Sequence, residues 1–332
     1  MVTIAVDAMG GDFGPRVTVP AVVSSLKKYP DLNIQLFGNR AKLAPYLQDA
    51  VANSRLTIVH TDVVVTSGER ISSALRKRMS SMRMAIDLVR EDKAQAMVSA
   101  GNTGALVAIS RYVLKTMLGI DRPALIGRIP NEHGYSYMLD LGANVECDSE
   151  NLHQFAVMGS AFCSALSKKK SPRVALLNIG SEEVKGNEEI RLTNANLKHS
   201  DAINYIGYVE GDDIYKGLAD VIVTNGFSGN IALKTSEGLV RYASVVIRDA
   251  FKHSLYSRVI GLFALPLLER LYRSFEPHLK NGGVLLGVQG VVVKSHGKAL
   301  EDAFGVAISN AYVLSKNNLL QQISDRLDNE II

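Results

Sequence analysis

DVIVTNGFSGNIALKTSEG, from Asp220 to Gly238, carries the pattern from which the fold follows: a short β-branched run, a turn of small residues, then apolar positions at helical spacing. A strand that feeds a helix through a glycine turn is half of a βα unit. The order returns at VTIAV (2–6) before DAMGGD and at AMVSA (96–100) before GNTGA, and NIQLF (33–37), LTIVH (56–60) and VALL from Val174 are further strand-like runs. Runs near Leu125 and Leu139, one from Ile203 and one from Val284 bring the expected strands to about ten. Helical periodicity covers 69–90, 103–117, 149–166 and 228–251, and a long helix is expected after Lys298. The prediction is a three-layer α/β/α sandwich.

A chain of 332 residues, 47% hydrophobic and 21% charged, is long for one compact unit, so two lobes are expected. No linker-like or repetitive tract separates them. The best division joins residues 1–120 with 280–332 in one α/β subdomain and gives 121–279 to a second, which carries a helical apolar tip at about 250–275. Two cysteines without CxxC spacing offer neither a disulfide framework nor a zinc site, which suits a reducing cytoplasm. The N-terminus lacks the basic and apolar regions of a signal peptide, and no run of about 18 apolar residues reads as a membrane span. A formal charge of +4 gives no argument for nucleic acid.

Three turns offer backbone N–H groups to an anion. In DAMGGDFGP, Gly10 and Gly11 permit tight backbone while Asp7 and Asp12 flank the turn. Ser99, Ala100, Gly101, Asn102, Thr103 and Gly104 enter a helix whose first-turn N–H groups lack intrahelical partners. Gly226, Ser228, Gly229 and Asn230, with Lys234 one turn on, combine backbone donors with a mobile cation and make the best phosphate cradle. Turns of this kind are also the ordinary punctuation of α/β folds; gathered at strand ends along one edge of a parallel sheet, they would form a shared anion site. Nucleotide motifs fail: no GxGxxG follows a strand, and SHGKA (295–299) lacks the first glycine of a P-loop. No cofactor is expected.

Lys185, alone among the acids of NIGSEEVKGNEE, can neutralise an oxyanion or simply belong to a solvated helix start. His296 is a candidate acid or phosphate ligand. Cys147 has no histidine at a partnering distance in sequence and reads as a core residue rather than an acyl-carrying nucleophile. The seven histidines show no metal-ligand spacing, and no metal is expected. Arg70, Arg76, Lys77, Arg78 and Arg83 fall on one predicted helix, which is either a solvated face or a patch that steers an acidic protein. Around Pro266, Leu262, Phe263, Leu265, Leu267 and Leu268 gather between basic flanks, as an anionic bilayer surface or a packed interface requires.

DAMGGD, SAGNTGA, LDLGAN, LLNIGSEEVKGNE, DVIVTNGFSGNIALKTSEG and GVLLGVQGVVVKSHGKA together resemble the bacterial phosphate acyltransferase family, nearly end to end. NIGSEEVKGNE is the most specific of these. The family's opening motif usually continues with His and Ala, where this chain has Phe13 and Gly14. The resemblance implies a mixed sheet in the fold of isocitrate and isopropylmalate dehydrogenases, with two intertwined subdomains and a homodimer. It also implies transfer of a long acyl chain from acyl carrier protein to inorganic phosphate, at the inner face of the cytoplasmic membrane. There a membrane-bound acyltransferase uses the acyl phosphate to begin phospholipid synthesis.

The roles expected under that resemblance put Lys185, Asn230 and His296 in catalysis, and the Ser99–Gly104 and Gly226–Lys234 segments on phosphate. Arg76, Lys77, Arg78 and Arg83 would meet the carrier protein, and Leu262, Phe263, Leu265 and Leu268 the membrane. Three rivals remain: an acetyl or butyryl phosphotransferase using coenzyme A, a nicotinamide-dependent decarboxylating dehydrogenase of the same fold, and a non-catalytic scaffold that binds the carrier at a membrane.

Overall fold

The computed structural model describes residues 1–47, 53–167, 169–252 and 282–330, with isolated positions between 256 and 267. Eleven strands form one sheet among the described residues: β1 (Val2–Asp7), β2 (Leu32–Gly38), β3 (Leu56–His60), β4 (Ala96–Ser99), β5 (Ala124–Asn131), β6 (Gly134–Leu139), β7 (Val174–Leu177), β8 (Tyr205–Val209), β9 (Val221–Val223), β10 (Gly283–Leu286) and β11 (Val291–Lys294). Their order is β3-β2-β1-β4-β11-β10-β5-β6-β9-β7-β8. Every residue of β4, β9 and β11 is buried, as continuous apolar runs covered on both faces must be, whereas the edge strands β3 and β8 are half exposed.

The sequence reading took the run from Val284 as one strand; it is two, β10 and β11, paired antiparallel. Gly287, at φ 85°, opens the reversal. The extra reversal has a consequence for the site. β1, β2, β3, β4 and β11 run one way, while β6, β7, β8 and β9 run the other, with β10 and β5 antiparallel between them. The turns therefore do not line one edge of a parallel sheet, as the sequence suggested. Leu125 pairs with Leu285, Leu285 with Val292 and Val292 with Met97, so the end of β6 stands level with the end of β4. The carboxyl ends of two opposed half-sheets meet across β10 and β5.

Helices cover both faces: α1 (Pro15–Lys28), α2 (Arg40–Leu47), α3 (Ile71–Arg76), α4 (Ser81–Arg90), α5 (Thr103–Leu114), α6 (Ser149–Ser167), α7 (Glu188–Lys198), α8 (Gly226–Lys252), α9 (Glu301–Lys316) and α10 (Leu319–Glu330). Successive residues Val284 and Leu285 of β10 belong to separate apolar clusters on opposite faces, one including residues of α1, α6 and α9, the other residues of α4 and α5. The third layer of the sandwich follows from this alternation. The helix expected after Lys298 is two, α9 and α10, and Arg326 of α10 donates to Ser160 Oγ of α6 at 3.0 Å.

Candidate active site

The first turn is locked by a buried carboxylate. Asp7 ends β1 and accepts from Ser81 Oγ at 2.6 Å and Ser99 Oγ at 2.7 Å; burial pushes its carboxyl up, against the pull of those bonds. Ser99 also accepts the Gly101 N–H at 3.0 Å, so its hydroxyl is committed inside the protein. A Cβ on Gly10 would lie 2.7 Å from both Asp7 Oδ2 and the Gly101 nitrogen, which is why glycine stands there. Asn102 caps α5 by accepting from Ala105 N–H at 2.9 Å. Thr103, at N1 of that helix, faces the cleft with a backbone N–H that intrahelical bonding leaves open.

The α8 turn differs from the expectation. Gly226 N–H donates to the Asn144 carbonyl at 2.8 Å, Ser228 N–H to Asn225 Oδ1 at 2.8 Å and Gly229 N–H to the Asn225 carbonyl at 3.0 Å. The best cradle in the sequence has three backbone donors already engaged. Its glycines answer to packing: a Cβ on Gly229 would stand 1.9 Å from the Asp140 carbonyl oxygen, and one on Gly226 2.3 Å from that of Asn144. Asp140 closes the arrangement from LDLGAN, accepting backbone N–H bonds from Leu125, Gly142, Ala143 and Asn144.

What α8 contributes is side chains. Asn230, Lys234 and Glu237 line a cavity of about 180 Å³ between the half-sheets, and Lys294, Ser295 and His296 line it from the end of β11. Lys234 Nζ lies 2.8 Å from Glu237 Oε2 and 3.2 Å from His296 Nε2. His296 Nδ1 accepts from the Lys298 N–H at 3.1 Å, which leaves the proton of a neutral ring on Nε2. Two N–H donors then face one another, and the Glu237 carboxylate, 2.8 Å from Lys234 Nζ and 3.8 Å from His296 Nε2, is the anion they share. Burial and the Lys234 ammonium both lower the His296 pKa.

Lys294 and Ser295 were passed over in the sequence reading. Lys294 is 7% exposed and donates to the Ala100 carbonyl at 3.4 Å and to that of Ser295. Burial, then the nearby Lys234 charge, bring its pKa down to about 8. Ser295 Oγ is fully buried without a hydrogen-bond partner among the described residues. Both look like the tail of an apolar strand in sequence; a polar pair closing a valine run was the available signal.

Other sequence candidates fall elsewhere. Lys185 does not line the cavity; it is half exposed in the loop after β7, 3.8 Å from Glu182. The basic residues do not share one helix, because the chain breaks between α3 and α4. Lys77 is tied to Glu69 at 2.7 Å, and Arg83 is buried against Asp87 at 3.0 Å, which leaves Arg70, Arg76 and Arg78 exposed. Of the tip residues, Leu262, Leu265 and Leu268 lie outside the described residues, and Phe263 is exposed. Cys147 is buried and its thiol is pushed up to about 12 by desolvation, which removes a thiolate nucleophile at neutral pH. Among the described residues, no group of three or more His, Cys, Asp or Glu is placed to hold a metal, and no helix is long and apolar enough to cross a membrane.

Fold and relatives together define the class of protein as an α/β acyltransferase. Its architecture is shared with a phosphotransacetylase from Streptococcus pyogenes (TM-score 0.62, 16% identity, 96% of this chain and 94% of that one) and a branched-chain phosphotransacylase from Enterococcus faecalis (TM-score 0.58, 14% identity, 95% and 99%). At those identities the likeness concerns the fold alone. A family model described as fatty acid synthesis protein matches residues 2–322. Phosphate acyltransferases from Pseudomonas savastanoi pv. phaseolicola and Shewanella baltica are 51% and 48% identical, over 98% and 99% of this chain and 96% and 98% of theirs. The chain belongs to this phosphate acyltransferase family.

Proposed function

We propose that the chain transfers a long acyl group from the thioester of acyl carrier protein to inorganic phosphate, giving an acyl phosphate for phospholipid synthesis. The observation that carries this reading is the convergence of Lys234, Lys294, His296 and the unpartnered Ser295 hydroxyl on one cavity between facing strand ends. Two lysines, one of them paired with Glu237, and a buried hydroxyl suit an anionic acceptor better than a neutral one.

The thioester is already activated, because its leaving group is the thiolate of a thiol with pKa of about 8.5. A phosphate oxygen held by Lys234 and Lys294 attacks the carbonyl carbon. The C–O bond forms and the carbonyl oxygen takes the charge, stabilised by Asn230 and the Thr103 N–H. The C–S bond then breaks, and the thiolate leaves with its electron pair to be protonated from water. Catalysis is by positioning and charge, without an acyl-enzyme.

A homodimer and attachment to an anionic membrane surface belong to the same reading. Of the 27 residues of α8 only Gly226, Gly229 and Ser236 are buried, while Ile231, Leu239 and Tyr242 are exposed, which supports a face that packs against a second copy. Phe263 and Leu267, 84% and 70% exposed, support contact with lipid. The acyl phosphate is a reactive anhydride whose consumer would be a membrane-bound acyltransferase acting on glycerol phosphate. The coenzyme A reading rests on fold likeness only. Incubation with acyl-acyl carrier protein and phosphate, followed by hydroxylamine, should yield the hydroxamate in proportion to phosphate; thioester loss without phosphate dependence would overturn the proposal.

A further inference from the structure

A second cavity, of about 130 Å³, opens beside the first, on the face of the sheet covered by α6 and α9. Its walls include Ile126, Tyr137, Phe162, Leu166, Val313 and Leu314, with Asn310 the one polar residue beyond the shared boundary. The two cavities share Gly127, Arg128 and Gly282. Two of these three are glycines, so at that boundary only Arg128 carries a side chain; a side chain at Gly282 would meet backbone, and one at Gly127 would displace the Leu141 side chain. A Cβ on Gly282, at φ +66°, would lie 2.2 Å from the Lys294 carbonyl oxygen, and one on Gly127 would lie 2.7 Å from Leu141 Cδ1. The third, Arg128, is held aside by its guanidinium, which stacks over Tyr135 at 4.6 Å and Tyr137 at 5.7 Å.

The polarity therefore changes across this shared boundary, from the lysines, Glu237 and His296 past a single guanidinium to walls that are aliphatic and aromatic apart from Asn310. A ligand that matches this order is charged or strongly polar at one end and hydrocarbon beyond it. We infer that the α6–α9 cavity receives the methylene chain of the acyl donor, with the thioester carbonyl at the Gly127–Gly282 passage. This rests on the phosphate-site reading given above and adds the place and direction of the chain. At the far end Val313 is 43% exposed, so the cavity opens toward solvent there. Burial of each methylene strengthens binding, so the cavity's reach sets which chain lengths profit.

The test blocks the far end without touching the phosphate cavity. Wild type, Val313→Trp and Leu166→Trp are compared with octanoyl and palmitoyl thioesters of acyl carrier protein, and for binding of the fluorescent fatty acid cis-parinaric acid. Shortened apolar contact should lower kcat/KM for the palmitoyl donor about tenfold and weaken parinaric acid binding to a similar extent, with octanoyl turnover within about twofold of wild type. Equal falls for both donors, or an unchanged palmitoyl rate, in variants that bind phosphate and melt like wild type would overturn the assignment. If wild type turns over neither donor, the phosphate reading fails instead; parinaric acid binding still judges the cavity, and affinity unmoved by both tryptophans removes it.

Discussion

Lys234 Nζ and His296 Nε2 stand 3.2 Å apart although 62 positions separate them in the chain. One comes from the helix after β9 and the other from the segment after β11, strands that run in opposite senses. Their meeting marks the seam where the two half-sheets present their carboxyl ends to one another.

Removing the Lys234 charge with Lys234→Ala should raise the phosphate KM by about tenfold or more, the scale of a charge-assisted contact, and leave the thioester KM nearly unchanged. Steady-state kinetics with phosphate varied at saturating donor check this. Unchanged phosphate kinetics would take Lys234 out of the site.

Lys294 makes phosphate binding depend on pH. Its ammonium is present below about 8 and lost above it, so phosphate affinity should fall as pH rises through about 8. Stability moves the opposite way. The unfolded chain keeps that proton to about 10.5, so between the two values it binds more protons than the native state, and native stability rises with pH across the window. Burial of the charge weighs against folding below about 8. Lys294→Met should therefore be inactive yet more stable than wild type at pH 7, by up to about 3 kcal/mol, with the difference shrinking toward pH 10. Urea denaturation at the two pH values measures it, and a variant less stable at pH 7 would show that the ammonium stabilises the fold.

Gly229→Ala should fail on packing rather than chemistry. Its Cβ would overlap the Asp140 carbonyl oxygen at 1.9 Å, so α8 must move away from the LDLGAN turn. The expected loss is about 3 kcal/mol, typical of severe overpacking. Gly104→Ala, whose Cβ would meet only ordinary contacts at 3.5 Å, should fold normally. Thermal melts separate the two.

Charge reversal at Arg76 and Arg78, two exposed members of the basic group, should weaken binding of acyl carrier protein and flatten its dependence on salt. Arg83→Glu would instead destabilise the protein, because it leaves a buried acid against Asp87. Affinity unaltered at low ionic strength in the double reversal would move the carrier elsewhere.

Phe263→Asp with Leu267→Asp, both exposed, should release the enzyme from anionic vesicles while leaving soluble turnover intact. Cosedimentation checks it; a folded variant that still pellets with lipid would end the membrane reading.

The alternation of β-branched runs, small-residue turns and helical periodicity is local, so a three-layer α/β chain could be read without coordinates. Segments 174–177, 221–223 and 149–167 fell close to where they were expected for that reason. Local pattern also concealed things. The hairpin of β10 and β11 looks like one apolar strand because both halves are buried on both faces, and periodicity is silent there. Gly226 and Gly229 read as phosphate ligands because a glycine required by packing and one required by a ligand are the same letter.

Of the residues that line the cavity, Asn230, Lys234 and His296 were already candidates in the sequence, and Lys294 and Ser295 were not. The residues of each turn and the helix that follows it were determined by the sequence alone, since those interactions span a few positions. Which turns face one another, which amides remain open and which lysine is buried enough to lose its proton near neutrality were decided by the tertiary structure. They depend on strand direction, close backbone approach and desolvation, and these exist only once distant segments have packed.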